Sequence, residues 1–108
     1  MRVPERRKNS RVPFVVAVKQ VRGRDLALFQ SCDLSLVGMA LVLPRGHELP
    51  ESTPTRLEFA LPGSEKTIVV EAIPVQKRTH GRFRLTGVAF KKIVGRKRLE
   101  AFIQARAA

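Results

Sequence analysis

Tryptophan and tyrosine are absent from this sequence, and only one cysteine and two histidines occur among its 108 residues. The lone Cys32 has no partner for an internal disulfide, which is typical of proteins in a reducing compartment. With His47 and His80 as the only histidines and no clustered acids, the chain lacks the side chains of a metal site, an acid pair or a nucleophile triad. We therefore expect neither a metal centre nor enzymatic activity.

Long hydrophobic runs are also missing. No apolar stretch approaches the ~20 residues that a membrane-spanning helix needs. The first residues are charged where a signal peptide would be apolar, with Arg2, Glu5, Arg6 and Arg7. The composition, 44% hydrophobic and 28% charged, is that of a globular chain of one domain. We expect a cytoplasmic protein without a membrane span.

Acidic residues are few and unevenly distributed: 9 Asp and Glu stand against 21 Lys and Arg, a net charge of +12. Residues 1–24 contain eight Lys or Arg and a single acid, Glu5, and no acid lies between Glu71 and Glu100. If these two basic segments meet in the fold, they form one positive surface suited to an anionic partner.

Apolar runs separated by turn residues predict a mainly antiparallel, all-β fold. In residues 55–61, for example, Leu57, Phe59 and Leu61 alternate with other side chains, as in a half-buried strand. Gly87 is predicted to mark a β-bulge, because Phe83 and Leu85 differ in parity from the apolar residues that follow. About six strands are expected, within residues 14–21, 26–32, 39–43, 55–61, 66–77 and from 82 onward. The spacing of Leu99, Phe102 and Ile103 predicts a C-terminal α-helix.

Two motifs lie in an informative order. The first is Arg7-x-x-x-Arg11, extended by Arg6, and the second is "DLSLVG", which places Asp33, Ser35 and Gly38 between the second and third predicted strands. Each is weak alone. Together with "TGVAF" near the last strand and a terminal helix, they resemble the PilZ domain over essentially the whole chain.

That resemblance implies a six-stranded β-barrel with a C-terminal helix, residues 13–108, behind a flexible basic ligand-binding segment, residues 1–12. It also implies a cytoplasmic receptor or adaptor for cyclic di-GMP that changes conformation when it binds. The ligand-binding residues implied are Arg6, Arg7, Arg11, Asp33, Ser35 and Gly38. No cofactor is implied beyond this ligand, and the downstream partner would be an unidentified protein of a motility, pilus or exopolysaccharide system.

The residue chemistry agrees with these roles. A guanidinium can form two hydrogen bonds to a phosphate or a guanine edge and can stack on a purine. Ionised Asp33 only accepts hydrogen bonds, which suits the donor edge of guanine, and Gly38 would let the backbone approach the ligand. We further predict that the basic hairpin "KRTHGRFR", with Arg78 and Arg84, forms the far wall of the site.

Two alternatives remain open. A nucleic-acid-binding small β-barrel would also suit the positive charge, but it usually needs exposed aromatic platforms. The absence of Trp and Tyr argues against it, as do four phenylalanines on predicted core faces: Phe59, Phe83, Phe90 and Phe102. The other alternative is a ligand-independent adaptor with a basic docking face.

Overall fold

The computed structural model describes residues 10–44 and 46–107, apart from the side chain of His80. Six antiparallel strands close a barrel in the order β3-β2-β5-β6-β7-β4, with β4 returning to β3, and a two-residue strand, β1, pairs with β3 outside this ring. The elements are β1 Val12–Pro13, β2 Ala17–Arg22, β3 Asp25–Leu34, β4 Gly38–Leu43, β5 Thr55–Ala60, β6 Thr67–His80, β7 Phe83–Val94 and α1 Arg96–Ala107. The predicted all-β barrel with a C-terminal helix is confirmed, with β1 as an additional strand.

The first predicted strand is interrupted. Residues 14–16 lie opposite only two residues of β3, because Pro13 pairs with Asp33 whereas Ala17 pairs with Gln30. Buried Ser31 bridges the break: its hydroxyl donates to the Phe14 carbonyl and accepts the Val16 N–H at 3.0 Å. The chain that carries Arg11 and β1 is thereby fixed to β3.

Inward-facing apolar side chains fill the barrel. The helix α1 packs against the lower end of the barrel, opposite the end with the β2–β3 and β6–β7 turns. Leu99 and Ile103 of α1 are buried, and the ring of Phe102 stacks edge-on against Phe14 at 5.4 Å between centroids. Burying such side chains stabilises the fold by roughly 1.5–3 kcal/mol each. The three apolar positions that predicted the helix are the ones that hold it to the barrel.

Three β-bulges set the direction of side chains along the barrel. The unpaired extra residues are Cys32 in β3, Val75 in β6 and Lys91 in β7. The bulge predicted at Gly87 therefore lies on the opposite strand, between the partners of Gly87 and Val88.

The prediction that Phe83 lies in the core is wrong, because 56% of this residue is exposed. Since β7 has no bulge at Gly87, it alternates regularly from its start. Thr86 and Val88 face inward, so Leu85 and Phe83 face outward.

The longest loop connects β4 to β5 through residues 44–54. Leu49 is buried in the core, and the His47 ring lies 4.8 Å from that of Phe29 and 3.3 Å from the Gln20 amide oxygen. The loop is thus attached to the barrel at its upper end, where the turns β2–β3 and β6–β7 also lie. No helix in the described part of the chain is long and apolar enough to cross a membrane.

A candidate ligand site on the outer face of the barrel

A shallow depression of about 320 Å³ lies across four neighbouring strands on the outer face of the barrel. Asp33 of β3 pairs with Ala40 of β4, Ala40 with Gly87 of β7, and Gly87 with Gln76 of β6. The two central positions carry the smallest side chains, so they form a low floor between taller walls. The full lining is Arg11, Cys32, Asp33, Ala40, Gln76, Arg78, Leu85 and Gly87.

Two of the bulges turn the side chains that form the walls of this depression to the outer face of the barrel. In β3, Phe29 and Ser31 face the core, and the extra residue Cys32 then turns Asp33 to the outer face. In β6, Val70 and Ala72 face the core, and Val75 likewise reverses the alternation, so that Gln76 and Arg78 face outward. Bulges often re-aim side chains next to functional sites.

Arg11 and Asp33 form the polar wall. The Arg11 guanidinium donates to Oδ1 of Asp33 at 2.7 Å, and the Ala40 N–H donates to the same oxygen at 3.1 Å. Among the described residues, nothing donates to Oδ2 of Asp33. The pair is 51% and 34% exposed, and such surface pairs are worth only about 0–1 kcal/mol. A bound anion can therefore recruit Arg11 at little cost.

Ser35 and Gly38 lie in the β3–β4 turn and do not line the depression. The fully buried Ser35 donates its N–H to the Gly38 carbonyl at 2.9 Å, and its hydroxyl accepts the Val37 N–H at 3.2 Å. A Cβ at position 38 would overlap the Val88 carbonyl oxygen. The glycine is therefore required for the close approach of β4 and β7, which is a packing reason distinct from the expected approach to a ligand.

The basic β6–β7 hairpin divides into two environments. Arg78 lines the depression and has no ion-pair partner among the described residues. Arg84 instead donates to Glu48 of the long loop at 3.0 Å, and Lys77 contacts Glu51 at 2.8 Å and Glu48 at 3.3 Å. The sequence prediction described the hairpin as acid-free and did not include Glu48 and Glu51, because these glutamates are distant from the hairpin in sequence.

The same contacts shift two pKa values in this cluster. Hydrogen bonds from Arg84 and then Lys77 lower the pKa of Glu48. Hydrogen bonds to Glu51 and Glu48 raise the pKa of Lys77. Both shifts favour the charged forms, so the cluster fastens the long loop to the hairpin at neutral pH.

Cys32 lies in the depression as a free thiol. Burial, and to a lesser degree the neighbouring Asp33 carboxylate, raise the pKa of this thiol. It is therefore a poor nucleophile near neutral pH. Within the described residues no group of His, Cys, Asp and Glu could hold a metal ion.

The structure brings together Arg11, Asp33 and Arg78 of the predicted site residues. It places Ser35 and Gly38 in the supporting turn and Arg84 in a separate ion-pair cluster, and Arg6 and Arg7 lie outside the described residues. Sequence reasoning missed Ala40, Gln76 and Gly87. Small and neutral residues carry no chemical signal, and only their register across β4, β7 and β6 shows that they share a surface.

Several solved structures share this fold, among them MotI and YcgR. MotI (DgrA), the inhibitor of motility from Bacillus subtilis, has a TM-score of 0.78 and 23% identity, over 94% of this chain and 50% of that one. YcgR from Escherichia coli in complex with c-di-GMP has a TM-score of 0.67 and 18% identity, over 93% and 45%. The chain thus spans about half the length of each, and identities this low indicate a common fold only.

A search of curated proteins found no match. The family model of the PilZ domain matches residues 5–105, which is nearly the whole sequence. The closed barrel, its C-terminal helix and the Asp-x-Ser-x-x-Gly turn agree with that match. The chain belongs to the PilZ domain family.

Proposed function

We propose that this chain is a cyclic di-GMP receptor that binds its ligand over the depression on the outer face of the barrel. The observation that carries the proposal is the convergence of Arg11, Asp33 and Arg78 around a floor made by Ala40 and Gly87. Cations on two sides, an acceptor on one side and a flat floor match a ligand with phosphates and planar guanines.

Each group has a contact to make. Oδ2 of Asp33 can accept from the N1–H or exocyclic amine of a guanine, while Ala40 keeps its bond to Oδ1. Arg11 can fork onto a phosphate or the guanine O6/N7 edge. Arg7 and Arg6 precede Arg11 closely in the chain and supply further guanidinium groups for the same ligand.

Arg78 would provide the second positive wall. Its side chain is exposed, and the hairpin holds it across the floor from Arg11. Arg84 is partly neutralised by Glu48, so we assign it a smaller role than Arg78. The basic hairpin thus remains a wall of the proposed site, mainly through Arg78.

The output of such a receptor is a conformational change passed to a partner protein. When a ligand phosphate takes Arg11 from Asp33, the Arg11 side chain is drawn over the depression. The structure of YcgR in complex with c-di-GMP supports the ligand. MotI is an inhibitor of motility, which favours a motility component as the partner. The chain would act in the cytoplasm as an adaptor without catalytic activity.

The nucleic-acid alternative is less well supported. Phe14, Phe29 and Phe59 are buried, and Phe83 is the one phenylalanine of the described residues that is largely exposed. A single exposed ring does not make the series of stacking platforms that strand-binding barrels use. The positive charge alone does not distinguish the two functions.

Calorimetric titration with cyclic di-GMP, cyclic AMP and GTP tests the proposal. Cyclic di-GMP is expected to saturate the protein and to bind at least about tenfold more tightly than the other two, because it alone offers two guanine edges and two phosphates at a fixed separation. Equal affinities, or stronger binding to oligonucleotides of increasing length with a steep salt dependence, would contradict it.

A further inference from the structure

One side of β3 is unpaired near the β2–β3 turn. Residues 25–30 of β3 pair with β2, whereas pairing with β4 begins only at Gln30. The β4 strand ends at Leu43, and no backbone hydrogen bond from the described residues reaches the other side of residues 25–29. As far as the described residues show, the β2–β3 hairpin therefore extends past β4 with an open edge.

The backbone groups on this edge belong to Leu26 and Leu28. The N–H of Ser31 donates to Val16, on the β2 side of the strand. Because N–H directions alternate along a strand, those of Phe29 and Ala27 also point toward β2, and those of Leu28 and Leu26 point away from it. Each of these two leucines leaves one donor and one acceptor on the open edge.

The side chains of the same two residues are unusually exposed. Leu26 is 63% and Leu28 is 68% exposed, and their β2 partners are Val21 and Lys19. Proteins usually protect an open strand edge with charges, prolines or a covering loop. Two neighbouring exposed leucines on such an edge are instead the features of a surface that another strand covers.

The charges around this edge indicate what covers it. Lys19, Arg22 and Arg24 have no ion-pair partner among the described residues. The acids beside them are Asp25 and Glu58, and Glu58, the β5 partner of Lys19, already accepts a hydrogen bond from Arg56. With a net charge of +12, a second copy of this chain would be repelled. An acidic segment would be attracted.

We propose that the open edge of β3 at Leu26 and Leu28 is a docking site for an extended acidic segment of a partner protein, which adds to the barrel as a further strand. Backbone hydrogen bonds to the two leucines would supply affinity, and alternate apolar side chains of the segment would cover them. Leu28 lies five residues from Asp33, about 17 Å along the strand, so this surface is separate from the ligand site and does not depend on it.

A ten-residue capped peptide of alternating glutamate and valine is the probe, and amide exchange followed by NMR is the measurement. At saturation, exchange of the Leu26 and Leu28 amides should slow at least about tenfold. The Ala27 and Phe29 amides, which already bond to β2, should change little. The same peptide with lysine in place of glutamate should not bind.

A double variant, Leu26→Lys with Leu28→Lys, separates docking from charge attraction. It adds positive charge, so attraction alone would tighten binding of the acidic peptide, whereas loss of the apolar surface should weaken binding at least about tenfold. Val94→Lys is the matched control, because Val94 is 54% exposed on β7, and it should bind like the parent. Circular dichroism verifies that all variants fold.

Three results would overturn the proposal. The first is tighter or unchanged binding by the double variant. The second is protection of amides elsewhere without protection of Leu26 and Leu28. The third is a concentration-dependent dimer of the parent in sedimentation that Leu28→Lys abolishes, since that would assign the edge to a second copy.

Discussion

Two glycines in the strands of the barrel differ in whether the fold requires a glycine at their position. A Cβ at Gly38 would overlap the Val88 carbonyl oxygen, whereas a Cβ at Gly87 would meet nothing closer than the Gln76 Cβ at 3.6 Å. Gly38 is therefore required by packing, and Gly87 is free to vary as far as the fold is concerned. What Gly87 contributes is a low surface at the centre of the depression.

Gly87→Val is expected to weaken cyclic di-GMP binding at least about tenfold without lowering thermal stability. A branched side chain would raise the floor of the site, and valine is favoured over glycine in a strand. Calorimetric titration and thermal unfolding of the same sample measure both effects.

Gly38→Ala is the contrasting control. We expect a loss of about 1–3 kcal/mol of folding stability, because β4 and β7 must move apart. Parental binding by Gly87→Val would show that the ligand does not lie over this floor.

At the residue scale, the sequence could predict the charged part of the candidate site. Arg11 and Asp33 are recognisable by their chemistry and motif spacing, and the structure places them 2.7 Å apart. Ala40, Gln76 and Gly87 could not be predicted, because only strand register brings them together. The ion pair of Arg84 with Glu48 joins residues 36 positions apart and has no local sequence signal.

At the scale of elements, the sequence predicted where strands lie but not where their alternation reverses. A strict period of two would place Asp33 inside the barrel with Phe29, and Arg78 inside with Val70. The extra residues Cys32 and Val75 reverse both strands. Neither Cys32 nor Val75 is a residue type that indicates a bulge. Only the strand register shows that Asp33 and Arg78 face outward.

Ser31→Ala tests the bridge that holds the first strand to β3. The change leaves the Val16 N–H without its hydroxyl acceptor in a part-buried position, and we expect a loss of about 1–3 kcal/mol in the free energy of unfolding. Denaturant titration measures it. Ser64→Ala is a suitable control, because Ser64 accepts the exposed Lys66 N–H in a surface turn and should have little effect. Equal effects of the two substitutions would contradict the assigned role of Ser31.

The glutamate cluster predicts a pH dependence of the long loop. The folded pKa of Glu48 is lowered, so its contribution is present above the pKa of an unfolded glutamate, about 4.3, and is lost as pH falls through the folded pKa. Once the pH is low enough to protonate Glu48, amide exchange of the described loop residues should accelerate relative to that of the barrel strands. The cluster is exposed, so added salt should reduce the difference.

NMR titration of the Glu48 carboxyl carbon tests the cause directly. In a Lys77→Gln, Arg84→Gln double variant, the pKa of Glu48 should return toward the ordinary value of a glutamate. An unchanged titration curve would mean that these two side chains do not hold the carboxylate in solution.

At the scale of the whole molecule, composition and periodicity predicted a mainly antiparallel β fold of about six strands with a terminal helix, and the resemblance to the PilZ domain implied that the strands close into a barrel. The positive charge was equally visible, but its arrangement was not: acids of the long loop neutralise part of the basic hairpin, and Arg11 is paired with Asp33. Net charge therefore does not identify the ligand of this protein, and the arrangement of a few side chains must do so.

Arg11→Lys separates recognition by side-chain geometry from attraction by charge, because the net charge stays constant. A lysine keeps the positive charge but has no planar fork for a phosphate or guanine edge, so we expect affinity for cyclic di-GMP to fall by roughly one to two orders of magnitude. Calorimetry gives the affinity, and circular dichroism confirms folding. Near-parental affinity of Arg11→Lys would mean that the site recognises the charge of the ligand alone.

The calorimetric affinity of Asp33→Asn for cyclic di-GMP, measured beside the parent, tests most sharply whether Asp33 recognises a guanine. The substitution removes a negative charge beside an anionic ligand and frees Arg11, while its amide oxygen can still accept the Ala40 N–H. Recognition of a guanine donor edge through the Asp33 carboxylate predicts weaker binding, by about tenfold or more. Tighter binding, the result expected from electrostatic attraction, would contradict the site proposed for this protein.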